Sequence, residues 1–460
     1  MNFHDDTITA ISTPVGQGGI GIVRISGINS FSIADRIFTS KNKTRPSEAP
    51  SHSMLYGHAI DPLTKNPIDE VLVSVMRAPN SYTREDIVEI NCHGGMTSVK
   101  RILEIIVGQG ARLAEPGEFT KRAFLNGRIN LSQAEAVIDL INAKTEESLK
   151  IALKQLEGGL SEKLSDIRSV LIEICAFVEA YIDFPEDEIE TQTMEQTTKG
   201  LAEIKKEIEN LSKTFDEARF FREGLSVAIV GRPNVGKSSL LNALLKKDRA
   251  IVTEIPGTTR DIIEDHININ GLPIRIIDTA GIRNSDETVE KEGIRRSLKA
   301  IENADLIVAM LDGSETLKLE DFEFLNIIRS KNTLIVINKT DLDMKISPES
   351  IQEYGKQCLY ISAVTGRGLE ELKSTIFNSN LKDWKEEREG LVVSNIRHKL
   401  ALDRSALSIG NALNALKDKQ PLEIFSIEIR DALDRIGEIT GVVTTDEILD
   451  KIFNDFCIGK

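Results

Sequence analysis

The spacing of apolar residues separates the sequence into regions of different texture, and the first of these predicts a small α/β unit. Apolar runs and alternations predict four strands, at Thr7–Ser12, Ile20–Ile25, Glu70–Met76 and Ile87–Asn91. A helical spacing predicts one helix at Ser98–Val107. We therefore expect a compact α/β domain over residues 1–118.

From Ser132 onward, apolar residues mostly recur three or four positions apart, the signature of long packed helices. The clearest stripe comprises Leu149, Leu153, Leu156, Leu160, Leu164, Ile167, Leu171, Ile174, Val178 and Tyr181. Gly158 and Gly159 interrupt it and are expected to weaken or kink the helix. Further helices are predicted at about 193–221, 400–417 and 422–436. We interpret the stripe as the core between helices.

Between the helical stretches, short apolar runs predict strands, and each is followed by a polar motif. The run Val227–Val230 precedes the P-loop Gly231–Ser238, of the form G-x-x-x-x-G-K-S, and a helical pattern follows at 239–245. Other runs precede Asp278-Thr279-Ala280-Gly281, Asn338-Lys339-Thr340-Asp341 and Ser362-Ala363. Four such motifs in this order, each at a strand end, predict a GTP site.

Each motif residue type suits one part of a nucleotide. Glycines let P-loop amides turn towards phosphate at a helix N-terminus, where Lys237 would reach the outer phosphates and Ser238 would bind Mg²⁺. Asp278 would support the Mg²⁺ from its second shell, and the Gly281 amide would sense the γ-phosphate. In Pro256-Gly257-Thr258-Thr259, one threonine is expected to complete the Mg²⁺ shell.

The predicted base specificity rests on Asp341. Its carboxylate can accept two hydrogen bonds from the ring N–H and the exocyclic amine of guanine. Adenine lacks this pair of donors and would leave buried polar groups unpaired, so GTP is expected over ATP.

One residue type common in small GTPases is absent. A glutamine after the switch II glycine orients the attacking water in many of them, but here Ile282 and Arg283 follow Gly281. Either hydrolysis is slow or another group replaces the glutamine. Acidic candidates follow at Asp286, Glu287, Glu290 and Glu292, although composition alone favours a solvated face for them.

These patterns together predict a multidomain protein of α/β and all-α parts. A Ras-like P-loop GTPase domain at 222–379 is inserted into a helical domain built from 119–221 and 380–460, and the α/β domain at 1–118 precedes both. The segments Phe220–Gly224 and Asn378–Trp384 would be the hinges.

Composition restricts the function further. The 460 residues carry a formal net charge of −15, which argues against broad nonspecific binding of nucleic acid but leaves a local basic patch open. The four cysteines, Cys92, Cys175, Cys358 and Cys457, are far apart and indicate neither a zinc site nor a disulfide framework. No signal peptide and no membrane span are apparent, so we expect a cytoplasmic protein without membrane partners.

Two clusters lie at the ends of the sequence. The glycine-rich loop Pro14–Gly21 contains G-x-G-G-x-G, a pattern that can cradle phosphate, but no helical pattern follows it, so a tight hairpin connection is favoured. The loops 81–86 and 91–95 are polar, and Lys121, Arg122 and Arg128 form a basic group that faces either an anionic ligand or solvent. Near the last residues, Ile448–Phe456 is patterned and should dock, which holds Cys457 near folded structure. Glycine and lysine after Cys457 do not fit a prenylation signal.

The flanking motifs distinguish between related GTPases. The stretches G-R-P-N-V-G-K-S-S-L-L-N, P-G-T-T-R-D and D-T-A-G-I-R are shared with the Era and Der ribosome-assembly proteins. The first residues D-T-I-T-A-I-S-T-P-V-G-Q-G-G-I-G-I-V-R-I-S-G, the middle G-E-F-T-K-R-A-F-L-N-G-R-I-N-L-S-Q-A-E-A and the final F-C-I-G-K together resemble the MnmE (TrmE) family of tRNA modification GTPases. The resemblance covers the whole sequence.

This resemblance implies chemistry beyond the GTP site. Family members act as homodimers with an FAD-containing partner, MnmG, in an expected heterotetramer. The pair installs an aminomethyl or carboxymethylaminomethyl group at C5 of the wobble uridine of tRNA. The carbon comes from 5-formyltetrahydrofolate or a related reduced folate. The matching folate positions are Arg24, Glu85, Arg128 and Lys460, with Cys457 beside them in the last motif.

The resemblance also implies activation by K⁺ between two paired GTPase domains. The matching K⁺ positions are Asn234, Thr253, Ile255 and Thr258, and Glu290 matches the glutamate that orients the attacking water. Catalysis is thus assigned to Glu290 and Lys237. The expected GTP-binding set comprises Asn234, Val235, Gly236, Lys237, Ser238, Ser239, Thr253, Glu254, Ile255, Pro256, Gly257, Thr258, Thr259, Asp278, Thr279, Ala280, Gly281, Asn338, Lys339, Asp341, Ser362 and Ala363, with Ser238 and Thr259 on Mg²⁺.

Two other functions remain open from the sequence. A GTP-switched ribosome-assembly factor of the Era or Der type would carry an RNA-binding KH-type domain after the GTPase, but Gly437 and Gly441 lie in a helix-like context. A folate-dependent methyltransferase could share the fold of the first domain and would not need the P-loop.

Overall fold

The computed structural model describes residues 6–14, 16–183, 191–248, 266–277, 299–347, 349–352, 354, 357–381 and 392–460. Its first region is a seven-stranded sheet in the order β3-β4-β5-β6-β2-β1-β7. The strands are β1 (Ile8–Ile11), β2 (Ile20–Ser26), β3 (Phe38–Ser40), β4 (Ser53–Ile60), β5 (Pro67–Met76), β6 (Ile87–His93) and β7 (Arg112–Leu113), and the helices are α1 (Ser30–Ile37) and α2 (Met96–Gly108). All four predicted strands and the predicted helix are confirmed, with ends shifted by a few residues.

The connection through the glycine-rich loop is a hairpin, as predicted. β1 and β2 are antiparallel, with Ala10 opposite Arg24. Alternate residues of the strands, such as Val23, Val73 and Ile90, are fully or almost fully buried and form one core with Ile102 of α2. This alternation leaves every second side chain of β2, including Arg24, on the other face of the sheet.

The helical region is built from two parts of the chain, one before and one after the inserted six-stranded sheet, which we call the nucleotide-binding sheet. Its first part contains α3 (Glu118–Leu125), α4 (Leu131–Asn142), α5 (Glu146–Leu156), α6 (Gly159–Asp183), α7 (Thr191–Lys213) and α8 (Phe215–Glu223). Its second part contains α13 (Ile396–Lys417), α14 (Leu422–Thr440) and α15 (Asp446–Asn454). Leu164, Leu201, Ile409 and Phe425 from the two parts share one buried core. The apolar stripe is therefore helix-on-helix core, as predicted.

Two helix breaks refine the sequence pattern. Gly158, at φ 98°, separates α5 from α6, so the predicted interruption is a turn between two helices. The stretch predicted as one helix over 193–221 is divided at Thr214, whose hydroxyl donates to the Leu211 carbonyl at 2.7 Å. This hydrogen bond to the preceding turn favours an end of α7, which apolar spacing alone does not reveal.

The inserted region is a six-stranded sheet in the order β13-β12-β11-β8-β10-β9. Its strands are β8 (Leu225–Val230), β9 (His266–Ile269), β10 (Leu272–Ile277), β11 (Leu306–Asp312), β12 (Thr333–Asn338) and β13 (Cys358–Tyr360), and its helices are α9 (Lys237–Asp248), α10 (Leu319–Ile327), α11 (Glu349–Gln352) and α12 (Leu369–Asn380). All neighbouring pairs are parallel except β9 with β10. Parallel strands end at one edge, which brings the motifs after β8, β12 and β13 together.

Both faces of this sheet are covered. Val227 and Ile229 of β8 belong to one buried cluster, while Ala228 and Val230 belong to the cluster on the opposite face. A continuous apolar run is the expected pattern for such a central parallel strand. The insertion of a P-loop GTPase fold into a helical region is confirmed, whereas the proposed domain limits stay predictions.

Within the part of the chain that the structure describes, none of the helices combines the length and apolar character that crossing a membrane requires.

Candidate functional site

Three of the nucleotide motifs meet at the carboxyl edge of the six-stranded sheet, and Asn338 joins them. Its side-chain amide donates to the Val235 carbonyl in the P-loop at 2.8 Å, and its side-chain oxygen accepts from the Ala363 amide at 3.0 Å. Asn338 is buried, so these hydrogen bonds are shielded from water. The residue thus fixes the distance between the phosphate end and the base end of the site.

The P-loop conformation depends on its two glycines. Gly231 and Gly236 have φ values of 152° and 103°. A Cβ atom on Gly231 would collide with the Met310 carbonyl, and one on Gly236 would collide with the Asn338 side chain. Only glycine allows the loop to approach β11 and β12 this closely. Val235 is buried beneath the loop, while Asn234 is exposed at φ 62°.

Lys237 is the first residue of α9, and its side chain turns back under the loop. Its ammonium donates to the carbonyls of Gly231 and Arg232, each at 2.8 Å. Burial lowers the pKa of Lys237. An anion at the loop would offset that burial effect, and Ser238 and Ser239 follow in the first helical turn.

The base end of the site is held by ionic and backbone contacts. Lys339, at φ 67°, pairs with Asp312 at the end of β11. Burial alone would raise the Asp312 pKa, but hydrogen bonds from Lys339 and Ser314 outweigh it and hold that pKa below its usual value. Ser362 is buried and its hydroxyl accepts from the Thr365 amide at 3.1 Å. Asp341 is exposed at the rim, as a residue that reads a ligand must be.

The remaining predicted nucleotide residues lie outside the described residues. They are Thr253, Glu254, Ile255, Pro256, Gly257, Thr258, Thr259, Asp278, Thr279, Ala280, Gly281 and Glu290. Their roles, including one Mg²⁺ ligand and three of the four K⁺ positions, stay predictions.

A second cluster surrounds Tyr82 in the N-terminal region. The Arg24 guanidinium lies 5.7 Å from the centroid of the Tyr82 ring and 5.4 Å from that of Phe119. The Arg128 guanidinium lies 4.7 Å from the Tyr82 ring centroid and donates to the Tyr82 carbonyl at 3.2 Å. Both predicted folate arginines therefore contact one aromatic residue, at cation–π distance. Sequence reasoning flagged the 81–86 loop but did not single out Tyr82 or Phe119.

Glu85, the carboxylate residue predicted to bind folate, is held in place by side chains of the protein interior. It accepts from the Ser26 hydroxyl at 2.7 Å and from Arg122 at 3.1 Å. Arg122 is 2% exposed and also pairs with Asp6 and Glu118. The basic group Lys121, Arg122 and Arg128 is therefore not one surface, because Arg122 turns inward to carboxylates of the protein.

The last residues of the sequence complete this cluster. Ile458 forms a β-bridge with Pro116, and the Phe119 amide donates to the Lys460 carbonyl at 3.2 Å. The Gly459 carbonyl accepts from Arg24 at 3.3 Å and from Ser12 at 3.2 Å. Together these contacts hold the end of residues 446–460, which we call the tail, against the sheet.

The preceding helix docks as predicted. Phe453 and Phe456 are buried in one cluster with Leu131 of α4. Cys457 follows with an exposed side chain, while its carbonyl accepts from the Gly117 amide at 3.4 Å. The tail is thus held near folded structure, in keeping with the sequence prediction.

The electrostatics of the cluster favour an anion. Burial first, and the charge of Arg24 second, lower the pKa of Lys460. Arg24 pairs with Glu89 at 2.8 Å, yet its charge still disfavours the Lys460 ammonium, and the half-buried Tyr82 ring and the buried Phe119 ring lie beside it. A carboxylate ligand would relieve this repulsion. The donor set thus fits the acidic end of a folate, and Glu85 offers the acceptor that a pterin edge needs.

Two family models and the curated relatives together match almost the whole length of the chain. The family model of the GTP-binding protein TrmE N-terminus matches residues 7–128, and that of the MnmE helical domain matches residues 131–457. The tRNA modification GTPase MnmE of Alkaliphilus oremlandii (strain OhILAs) is 50% identical over 460 residues, 100% of each chain. The protein of that name from Clostridioides difficile (strain 630) is 48% identical, also over 100% of each chain.

Among solved structures, the G domain of the T. maritima FeoB iron transporter is 28% identical and covers 34% of this chain and 98% of its own, with a TM-score of 0.25. At that score the structural likeness adds no argument.

Proposed function

Because this chain belongs to the MnmE family of tRNA modification GTPases, we propose that it hydrolyses GTP to drive the modification of tRNA. The observation that supports this most directly is the junction at Asn338, which holds the P-loop, the base-reading motif and Ala363 at one sheet edge. An arrangement of this kind binds a nucleotide along its length. An Era-type or methyltransferase function is less well supported, since the tRNA modification GTPases match the chain over its whole length.

Hydrolysis adds a water oxygen to the γ-phosphorus and breaks its bond to the β-phosphate oxygen, giving GDP and phosphate. Negative charge builds on the oxygens between the phosphates, where the Lys237 ammonium and the P-loop amides stabilise it. Ser238 and Thr259 would hold Mg²⁺, which supplies further neutralisation of phosphate charge. On nucleotide binding, the Lys237 ammonium would exchange its hydrogen bonds to the Gly231 and Arg232 carbonyls for hydrogen bonds to phosphate oxygens.

Two finer parts of the GTP mechanism rest on the family resemblance. Asn234 with Thr253, Ile255 and Thr258 would bind K⁺ between paired GTPase domains of a homodimer, and Glu290 would orient the attacking water indirectly. The exposure of Asn234 at the outer side of the P-loop supports a role at a domain interface.

The second cluster is proposed as a folate site. Arg24 and Lys460 would pair with folate carboxylates, and Arg128 would add a third cation against Tyr82. Glu85, fixed by Ser26 and Arg122, would read the donor edge of the pterin. Bound 5-formyltetrahydrofolate or a related reduced folate would supply the one-carbon unit.

The complete activity joins both sites with partners. With an FAD-containing MnmG-like protein in a heterotetramer, the chain would act in the cytoplasm and place an aminomethyl or carboxymethylaminomethyl group at C5 of the wobble uridine in certain tRNAs. Cys457, which is exposed three residues before Lys460, would lie beside the folate site.

The deciding experiment is mass analysis of tRNA nucleosides from a strain that lacks the gene. The wild-type chain should restore the modified wobble uridine, and Asp341→Asn should restore it poorly while shifting nucleotide preference from GTP towards XTP, since asparagine presents a donor to the extra oxygen of xanthine. Unchanged nucleosides in the deletion strain would contradict the tRNA function, and equal GTP affinity in Asp341→Asn would contradict the base assignment.

A further inference from the structure

The chain passes twice between the helical region and the nucleotide-binding sheet. The entering segment, residues 215–224, comprises α8 and Gly224 and leads directly into β8. The leaving segment, residues 392–398, leads into α13, whose N-cap is Asn395. Both segments contact the same pair of helices, α4 and α5, which we call the crossing hairpin.

The helix α4 holds both segments through two carboxylates. Asp139 accepts from Arg222 of the entering segment at 2.8 Å. Glu135 accepts from Asn395 at 2.9 Å, from Arg397 at 2.7 Å and from His398 at 2.6 Å, all in the leaving segment. Because Glu135 and Asp139 are four residues apart, they lie on one face of the helix.

The helix α5 repeats this arrangement with neutral groups. The Ser148 hydroxyl donates to the Phe221 carbonyl of the entering segment at 2.6 Å. Gln155 donates to the Val392 carbonyl at 3.1 Å and to the Ser394 hydroxyl at 3.2 Å in the leaving segment. Ile151, between the two, is buried in the core of the nucleotide-binding sheet.

A cavity of about 210 Å³ lies between the crossing hairpin and the two segments. Asp139, Ser148, Gln155, Arg222 and Ser394 are among its lining residues. Close packing elsewhere resists movement, whereas this cavity gives the polar side chains on its wall room to exchange partners when a segment shifts.

The N-terminal half of α4 also contacts the tail. Leu131 and Ala134, in its first turns, are buried against Leu449, Phe453 and Phe456. These tail residues precede Gly459 and Lys460, whose backbone groups bind Arg24 and Phe119. One helix therefore contacts both crossing segments, through Glu135 and Asp139, and the tail that supports the candidate folate site, through Leu131 and Ala134.

We propose that the crossing hairpin transmits the nucleotide state of the sheet to the tail, with Glu135, Asp139, Ser148 and Gln155 as positioning residues. This inference deepens the proposed function and rests on it, because it requires guanine nucleotide at the P-loop. A displacement of either segment moves α4, and α4 moves the tail that borders the pocket. Coupling between two sites is reciprocal, so a ligand in the pocket changes nucleotide affinity by the same factor.

The test measures amide hydrogen exchange of the full-length protein with GDP and with a non-hydrolysable GTP analogue. In the wild type, exchange of the tail residues 446–460 should differ between the two states by about fivefold or more, the lower end of typical coupling between sites. Asp139→Asn and Gln155→Leu should remove most of this difference while GTP hydrolysis continues. A purely structural role would instead raise tail exchange equally in both nucleotide states.

The matched control is Asp431→Asn. Asp431 accepts from Arg435 at 3.0 Å within α14 and from Ser408 of α13 at 2.6 Å. It contacts neither segment of the crossings, so this variant should keep the wild-type response. Ser148→Ala serves as a milder third variant where Asp139→Asn or Gln155→Leu fails to fold.

Two outcomes would overturn the inference. One is a wild-type tail that does not respond to nucleotide although GTP is hydrolysed, and the other is a wild-type response in the folded crossing variants. A wild-type protein that neither binds nor hydrolyses GTP contradicts the proposed function as well, which separates the two failures.

Discussion

The two candidate sites are built in opposite ways. At the nucleotide site, each motif is a short segment at the end of a parallel strand, and the sheet alone brings the segments together. At the N-terminal cluster, Arg24 meets Gly459 across 435 positions of sequence, and Glu85 depends on the buried Arg122. The first site can be recognised from local sequence, whereas the second exists only after distant segments have docked.

The largest effect is expected on the folding stability of the N-terminal region, when the buried Arg122 that supports the second site is replaced. Arg122→Met would remove the cation shared by the half-buried Glu85 and the buried Glu118, which keeps only Arg112, and we expect the N-terminal region to lose about 3 kcal/mol, the lower end for a broken buried pair. Urea unfolding of the full chain would measure the loss, and GTP hydrolysis should persist. The control Arg101→Met removes a surface pair with Asp61 and should cost about 0–1 kcal/mol. Equal losses in both variants would contradict the buried network.

The next effect is on nucleotide binding, at Gly236. Gly236→Ala adds a Cβ that collides with Asn338, so GDP affinity should fall about 100-fold, or about 2.7 kcal/mol. Fluorescent GDP titration measures this, and folate affinity should be unchanged. Gly110→Ala is a matched control, because Gly110 has φ 107° but no atom within 4 Å of an added Cβ. Wild-type GDP affinity in Gly236→Ala would refute the joint at Asn338.

A smaller effect is expected on folate binding when Lys460 is removed. Loss of one charge-assisted contact, about 1.5–3 kcal/mol, should weaken a reduced formyl-folate roughly 10- to 100-fold in calorimetry, with GTP hydrolysis kept. Lys460→Arg should retain most of the affinity, since a cation remains. Folate binding that is indifferent to the truncation would remove Lys460 from the pocket.

The smallest effect concerns pH. The pKa of Lys460 is lowered in the folded protein by burial and then by Arg24, so its charged form is less favourable there than in the unfolded chain. The resulting cost to stability is present at low pH and disappears as the pH rises past the usual lysine pKa of 10.5. Lys460→Met should therefore slightly raise the thermal midpoint at neutral pH without folate. A lowered midpoint would contradict the sign.

Folate binding should show the complementary behaviour. An anion beside Lys460 favours the ammonium, so binding should take up protons as the pH approaches the lowered pKa. Calorimetry in buffers of different ionisation enthalpy would measure this uptake, and proton release would contradict it.

The sequence predicted correctly those strands, motifs and helices whose residues are contiguous in the chain. The strand before Gly231, the apolar runs before Asn338 and Ser362, and the helical stripe from Leu149 were all visible in one dimension. The break at Thr214 was not, because a hydroxyl that bonds the preceding turn leaves the apolar spacing unchanged.

The N-terminal cluster shows the limit more clearly. Arg122 reads as a surface cation beside Lys121, yet its partners Asp6 and Glu85 come from other segments. The contact of Tyr82 with both Arg24 and Arg128 likewise depends on how the 81–86 loop folds onto the sheet. Only the family resemblance named Arg24, Glu85, Arg128 and Lys460 in advance.

The docking of the tail on β2 has a consequence for biosynthesis. Arg24 leaves the ribosome 435 residues before Gly459, a delay of roughly 20 to 90 s at ordinary rates of bacterial synthesis. During that interval Arg24 lacks the Gly459 carbonyl as a partner, and the Phe119 amide lacks the Lys460 carbonyl. Only a polypeptide translated through Gly459 can form the contact with Arg24, so a fragment released earlier lacks it.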